Sequence, residues 1–311
     1  MKENNFLSVI LYCQNINKDS ILSFPKALYN TFLKNFKNYE VIIVNDVASE
    51  KDIENFSTEI SKYVEHNTTS IINFPSYVGI EPAMIAGDNL AIGDYILEID
   101  NINVSFSEST FMNAYKKLME GYDIVSIEPK STKKSIASSL FYKLYNNGVA
   151  SEQNIGFDVF RLVSRRAFNR AKASSKTIPY RKAIYASCGL KHLILKDESL
   201  IISFPKGEKP HIKNKIALGI DSLLIFTNTI QRLAITISCM FLLITIAITV
   251  YTVYIFISSN PVAGWTPIML YLSIGFLGIF TMMAIVLRFL SVILDMVYKK
   301  DMHAIESIRK V

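Results

Sequence analysis

The chain has 311 residues, half of them hydrophobic, with 33 Lys and Arg against 27 Asp and Glu for a formal charge of +6. That length suits one large domain or two modest ones. The run from Leu233 to Leu287 holds no Asp, Glu, Lys, Arg or His, which argues against an ordinary soluble fold there, although a buried soluble helix is the alternative.

In chain order, the opening "MKENNFLSVILYCQN" suits a first strand over 6–12 better than a secretory segment. A helix-length segment, Lys18 to Phe36, has apolar residues at Ile21, Leu22, Phe24, Leu28, Phe32 and Leu33. A second strand, "EVIIVND", follows, then a helix over Glu50–Val64 and a third strand, "TTSIINF". "GIEPAMIAGDNLAIGD" reads as an alanine-rich helix closed by a glycine, and "YILEID" as the next strand. Alternating β and α elements predict a mostly parallel sheet with ligands at the carboxyl ends of its strands. By that rule Asn45–Asp46 and Asp100 fall on one edge of the sheet.

Beyond it, "YDIVSIEP" and "LKHLILKD" read as strands, "SIASSLFYKLYNNGV" as a helix, and "FDVFRLVSRRAFNRA" as a strand-to-helix junction. Residues 213–232 form an amphipathic helix lying on a membrane surface, or an ordinary core helix. Two membrane crossings follow, over 233–257 and 268–290, each needing about 20 apolar residues. Lys206, Lys209, Lys213, Lys215 and Arg232 precede them, and Arg288, Lys299, Lys300, Arg309 and Lys310 follow. The basic flanks place both termini in the cytoplasm, in an inner (cell) membrane protein. The same residues attract anionic lipid, and without aromatic interleaving they imply no nucleic-acid partner. Cys13, Cys188 and Cys239 lack metal-ligand spacing and read as reduced thiols, and the four histidines show no ligand spacing.

The order of these pieces resembles family 2 glycosyltransferases, specifically the membrane-anchored polyprenyl-phosphate enzymes similar to dolichol-phosphate mannose synthase. "YCQN" keeps Asn15 of the family's first-strand stretch, and "VNDVAS" keeps Asp46 and Ser49 of Val-Asp-Asp-Gly-Ser. Gly79 to Ala83, a Gly-x3-Ala stretch, stands where the family has its glycine-to-alanine helix, "AIGDYILEID" matches the Ala-x-Gly-Asp-Tyr-Ile stretch, and "FRLVSRRAF" the Asp-Phe-Arg-Leu-x-Ser-Arg block. The departures fall on the chemistry. Asp-x-Asp reads Asp100, Asn101, Ile102; Val159 replaces an Asp, with Asp158 one position early; and Phe204 stands at an arginine position.

The resemblance implies a GT-A-like (Rossmann-like) α/β domain over 1–212, the interface helix over 213–232, a two-helix transmembrane hairpin over 233–290 and a cytoplasmic tail over 291–311. It implies transfer of a sugar, with inversion, from a UDP- or GDP-linked nucleotide sugar to a polyprenyl (undecaprenyl) phosphate. Asn15, Asp46 and Asp100 are then the nucleotide contacts, with a strand-end turn as the alternative for Asp46. Asp100 holds Mg²⁺ or Mn²⁺, Arg165, Lys206 and Lys209 meet phosphate, and Asp158 and Arg161 serve catalysis. A structural salt bridge is the alternative for Arg161. Asn103 offers a metal a carbonyl oxygen only if the strand end bulges. A lipid phosphate is largely dianionic at neutral pH and needs no strong base. The competing reading is a degenerate relative that binds nucleotide, lipid or a partner without turnover. The uncharged helix faces permit a homo-oligomer and do not demand one.

Overall fold

The computed structural model describes residues 2–64, 68–107, 109–130, 136–148, 154–174, 180–202 and 307–310, with isolated helical positions between 219 and 293. The strands are β1 (Glu3–Cys13), β2 (Phe36–Asn45), β3 (Thr69–Asn73), β4 (Tyr95–Ile99), β5 (Val104–Ser105), β6 (Ile124–Pro129), β7 (Phe160–Ser164), β8 (His192–Asp197), β9 (Ile201–Ile202) and β10 (Ser307–Lys310). The helices are α1 (Lys18–Thr31), α2 (Glu50–Ser61), α3 (Ile80–Leu90), α4 (Thr110–Met119), α5 (Ile136–Gly148), α6 (Arg165–Ser174) and α7 (Arg181–Ser187).

Eight strands form one mixed, mostly parallel sheet in the order β10-β3-β2-β1-β4-β7-β6-β8. β1, the central strand, is buried from Leu7 to Cys13 because both of its faces are covered. Leu7, Val9, Leu11 and Cys13 pack with Phe24 and Leu28 of α1, Phe56 of α2 and Phe111 of α4. Ile10 and Tyr12 point the other way, into Ala83 and Met84 of α3, Phe168 of α6 and Ile184 of α7. The period of two along the strand thus sorts the helices into two layers.

One expectation changes, and two features go beyond the sequence reading. The helix expected over 18–36 stops at Thr31: Phe32 leaves helical geometry at φ −133°, a single 3-10 turn follows, and Phe36 opens β2. Phe32 is held there by ring contacts at 4.9 Å to Phe36 and 5.4 Å to Phe111. The sheet is mostly parallel as expected, with β7 running antiparallel between β4 and β6. The C-terminal tail also supplies β10, antiparallel to β3 at the sheet edge.

The two expected crossings lie almost wholly outside the described residues, and no helix among the described residues is long and apolar enough to cross a membrane. Of segment 213–232 only Gly219 is described; it is helical, and a Cβ there would lie 3.5 Å from the Phe141 ring of α5. Between 268 and 293 the described positions are helical, and Ile268, Leu272, Ile279, Met283, Val286 and Leu290 are exposed.

Candidate active site

In the order β3-β2-β1-β4 the chain works outward from β1 in one direction and then resumes at β4 on its other side. A sheet of this kind opens a crevice where its order reverses, at the carboxyl ends of the two strands concerned. Here those ends carry Asn15 after β1 and Asp100 after β4.

Asn15 is exposed, and its carbonyl accepts a 2.7 Å bond from Asn103 Nδ2. Asn103 Oδ1 in turn accepts from Asn17 N at 2.8 Å, so this buried side chain ties down the β1–α1 loop. Its carbonyl oxygen is therefore not offered to a metal.

Asp46, one residue past β2, is fully buried. It accepts from Tyr12 Oη at 2.7 Å and from Val78 N and Gly79 N, both at 2.9 Å. The two amides lead into α3, so the carboxylate anchors that helix's entrance. Gly79 reaches the geometry with φ +90°, which glycine adopts at little cost. Burial, then the Asp46 carboxylate, pushes the Tyr12 hydroxyl far up, keeping it a donor. The structure thus spends Asp46 on the β3–α3 loop. Val47 beside it is exposed and stands at φ +65°, in the left-handed region that a β-branched residue avoids.

The unusual feature lies under Asp100. Glu98 and Asp100, two apart, share one face of the strand. Arg161 of β7 is directly opposite Glu98 in the antiparallel pair. Arg161 donates from Nη1 to Glu98 Oε2, and to Asp158 Oδ2 from Nε at 3.0 Å and Nη2 at 2.5 Å. Arg181, the first residue of α7, gives Nη1 to Glu98 Oε2 at 2.5 Å, Nη2 to Asp100 Oδ1 at 2.8 Å and Nε to Glu81 Oε2 at 3.0 Å. Lys182 meets Asp158 Oδ1 at 2.8 Å, and Tyr185 Oη donates to Glu98 Oε1 at 2.6 Å.

Four carboxylates therefore face three cations. Both arginine side chains are 2% exposed, and Asp100, at 12%, is the carboxylate of the set that reaches furthest toward solvent. Burial opposes the charge on Arg161 and Arg181, but the surrounding carboxylates outweigh it and hold both well above their ordinary range. Burial likewise opposes ionisation of Asp158, yet Arg161 and Lys182 drive its carboxyl well below the usual range. Among the described residues Asp88 of α3 makes no ion pair. Burial, then the Glu98 charge, pushes it well up, and its Oδ1 has no hydrogen-bond partner among the described residues.

Asp100, Asp158 and Arg161 are thus brought together, with Arg161 in the salt bridge that was its structural alternative. Arg165 is not brought to them. It donates to the carbonyls of Gly93 at 2.8 Å and Ala91 at 2.9 Å, at the amino end of β4. Lys206 and Lys209 lie outside the described residues. Sequence reasoning missed Glu81, Glu98, Arg181, Lys182 and Tyr185. One signal was present: a glutamate inside "YILEID" is a charge in a buried strand, and such a charge requires a partner.

These donors do not fit a divalent ion. One oxygen of Asp100 holds Arg181, and Arg161 Nη2 is 3.8 Å from the other. Asn101 Oδ1 accepts from Asn103 N at 2.8 Å, and Ile102 is buried in the core. Among the described residues no group of three His, Cys, Asp or Glu is placed to hold a metal.

No family model matches the chain. It is 26% identical over 188 residues to the "Putative glycosyltransferase CsbB" of Bacillus subtilis (strain 168), a match covering 56% of this chain and 54% of that one. The chain thus spans about half the length of the curated relative it matches. Among solved structures, a mannosyltransferase, PcManGT from Pyrobaculum calidifontis in complex with GDP-Man and Mn²⁺, is similar with a TM-score of 0.48 and 12% identity, over 96% of this chain and 88% of that one.

Proposed function

We propose that this chain is a membrane-bound inverting glycosyltransferase that moves a sugar from a UDP- or GDP-linked donor to a polyprenyl phosphate at the cytoplasmic leaflet. The similarity to a protein named as a glycosyltransferase supports the reaction class. The observation that carries the site is the partly accessible Asp100 past the end of β4, with Asn15 past the end of the neighbouring β1, where the strand order reverses.

The state of Asp158 supports the choice of acceptor. A general base works best with a pKa near the operating pH. Asp158, locked by Arg161 and Lys182 and held far below that range, is a poor base. A sugar hydroxyl needs a base to become a nucleophile. A phosphate monoester, with a second pKa of about 6, arrives already charged.

Membrane attachment rests on the uncharged run from Leu233 to Leu287 and on the exposed helical positions Ile268, Leu272, Ile279, Met283, Val286 and Leu290, which recur every three, four or seven residues and so share one helix face. β9 before the uncharged run and β10 after it both pair with strands of the domain, which supports an even number of crossings with both flanks on one side. The degenerate reading has its own support in the buried Ile102 and the closed ion pairs of Arg161.

The deciding experiment incubates the full chain, in detergent with undecaprenyl phosphate, with radiolabelled UDP- and GDP-sugars. Label in the lipid phase, reduced at least about tenfold by Asp100→Ala, supports the proposal. Absence of both lipid labelling and nucleotide binding overturns it in favour of the degenerate reading.

A further inference from the structure

We infer that the cation of this site is part of the chain: the Arg181 guanidinium holds the place at Asp100 that a divalent ion would need, so the nucleotide binds without metal. The inference rests on the reading of Asp100 as the edge of a donor site.

Three observations carry it. First, Arg181 is fixed from both ends. Its guanidinium spans Glu81, Glu98 and Asp100, while its backbone N donates to Glu81 Oε2 at 2.9 Å. A side chain gripped by three carboxylates, and anchored at its own amide, does not swing aside for an ion. Second, the oxygens that a hard cation requires are engaged elsewhere. Asn101 and Asn103 accept backbone N–H groups, and position 102 is an isoleucine packed in the core. Third, the charge count fits a cation already in place. In the ion-paired set Glu81, Glu98, Asp100 and Asp158 face Arg161, Arg181 and Lys182, one carboxylate in excess, while burial and the Glu98 charge hold the neighbouring Asp88 toward its neutral form. An added divalent ion at Asp100 would stand beside two guanidinium groups. Without Arg181 the excess doubles, and the same cluster becomes attractive to a cation.

Arg181 is therefore a positioning residue. Buried at 2% exposure, it pairs with Asp100, the most exposed carboxylate of the set. A diphosphate then approaches a carboxylate tied to a guanidinium instead of a bare anion.

The test uses the full chain in detergent, with Mn²⁺ alone followed by the electron paramagnetic resonance of the free ion. UDP and GDP binding is measured in parallel by calorimetry, in EDTA and in Mn²⁺. Wild type is expected to take up no Mn²⁺ saturably at millimolar concentration, and its nucleotide affinity to change less than about threefold between the two conditions. Arg181→Gln is expected to gain saturable Mn²⁺ binding and at least about a tenfold dependence of nucleotide affinity on it. Saturable Mn²⁺ binding by wild type that Asp100→Asn abolishes overturns the inference, as does nucleotide binding that requires Mn²⁺, or an Arg181→Gln variant indifferent to the ion. If Arg181→Gln does not fold, the wild-type and Asp100→Asn measurements decide alone. If no nucleotide binds at all, the proposed function fails, while the Mn²⁺ measurement still decides this point.

Discussion

Replacing Arg161 by methionine keeps most of the side chain's volume and removes its charge. In the folded protein Arg161 makes three hydrogen bonds to two buried carboxylates, Glu98 and Asp158. Breaking a buried ion pair by removing one partner costs about 3–5 kcal/mol. The lower end applies here, because Glu98 keeps Arg181 and Tyr185 and Asp158 keeps Lys182. A loss of about 3 kcal/mol lowers Tm by roughly 6–12 °C in a domain of this size. The pH dependence is the sharper readout. In wild type the Asp158 carboxyl is depressed, so its stabilisation is present above the unfolded value of about 3.9 and is lost as pH falls below it. Without Arg161, burial is opposed by Lys182 alone and the carboxyl rises. Protonation then relieves the variant as pH falls through the risen value, and there its deficit shrinks by at most about 1.4 kcal/mol per pH unit. The assay is thermal unfolding followed by far-UV circular dichroism across a pH series from neutral down to the unfolded carboxyl value of about 3.9. A Tm loss below about 2 °C, or a deficit that does not change with pH, refutes the reasoning.

Other residues offer equally direct checks. Val47→Gly is expected to raise stability by about 1 kcal/mol, because glycine relieves a left-handed conformation that costs a side-chain-bearing residue about 1–2 kcal/mol; an unchanged or lower Tm contradicts this. Gly93→Ala would set a Cβ 2.6 Å from Ser8 N and 2.9 Å from Phe6 O, backbone atoms of the central strand, so a loss of about 3 kcal/mol or more is expected in a chemical denaturation curve. Burial pushes His192 down to about 4, against about 6.5 when unfolded. The unfolded state therefore takes up this proton first, and the fold loses up to about 3 kcal/mol between pH 6.5 and 4. His192→Gln, which retains a partner for the 2.8 Å bond with Ser126, is expected to flatten that part of the Tm–pH curve.

Much of the architecture was legible because it is written locally. β1, β2, β3, β4, β6 and β8 are apolar runs of strand length, and their alternation with helical segments already implies a layered, mostly parallel sheet. The edge that gathers Asp46 and Asp100 followed from the same rule. α4 and α7 went unread: one lies in an otherwise featureless stretch, and the other is only seven residues long. The antiparallel course of β7 and the return of β10 were also invisible, because strand direction depends on how the chain travels between elements.

The site divides along the same line. By itself the sequence determined which residue types are present: a carboxylate at the end of β4, an isoleucine two positions on, and an arginine at 161. Only the tertiary structure decided whom they meet. Arg181 lies 81 residues from Asp100 and 100 from Glu81 along the chain, yet one guanidinium joins both. Helix and strand signals repeat within a few residues, so periodicity reveals them. A buried charge finds its partner through the packing of whole layers, and no local pattern records that choice.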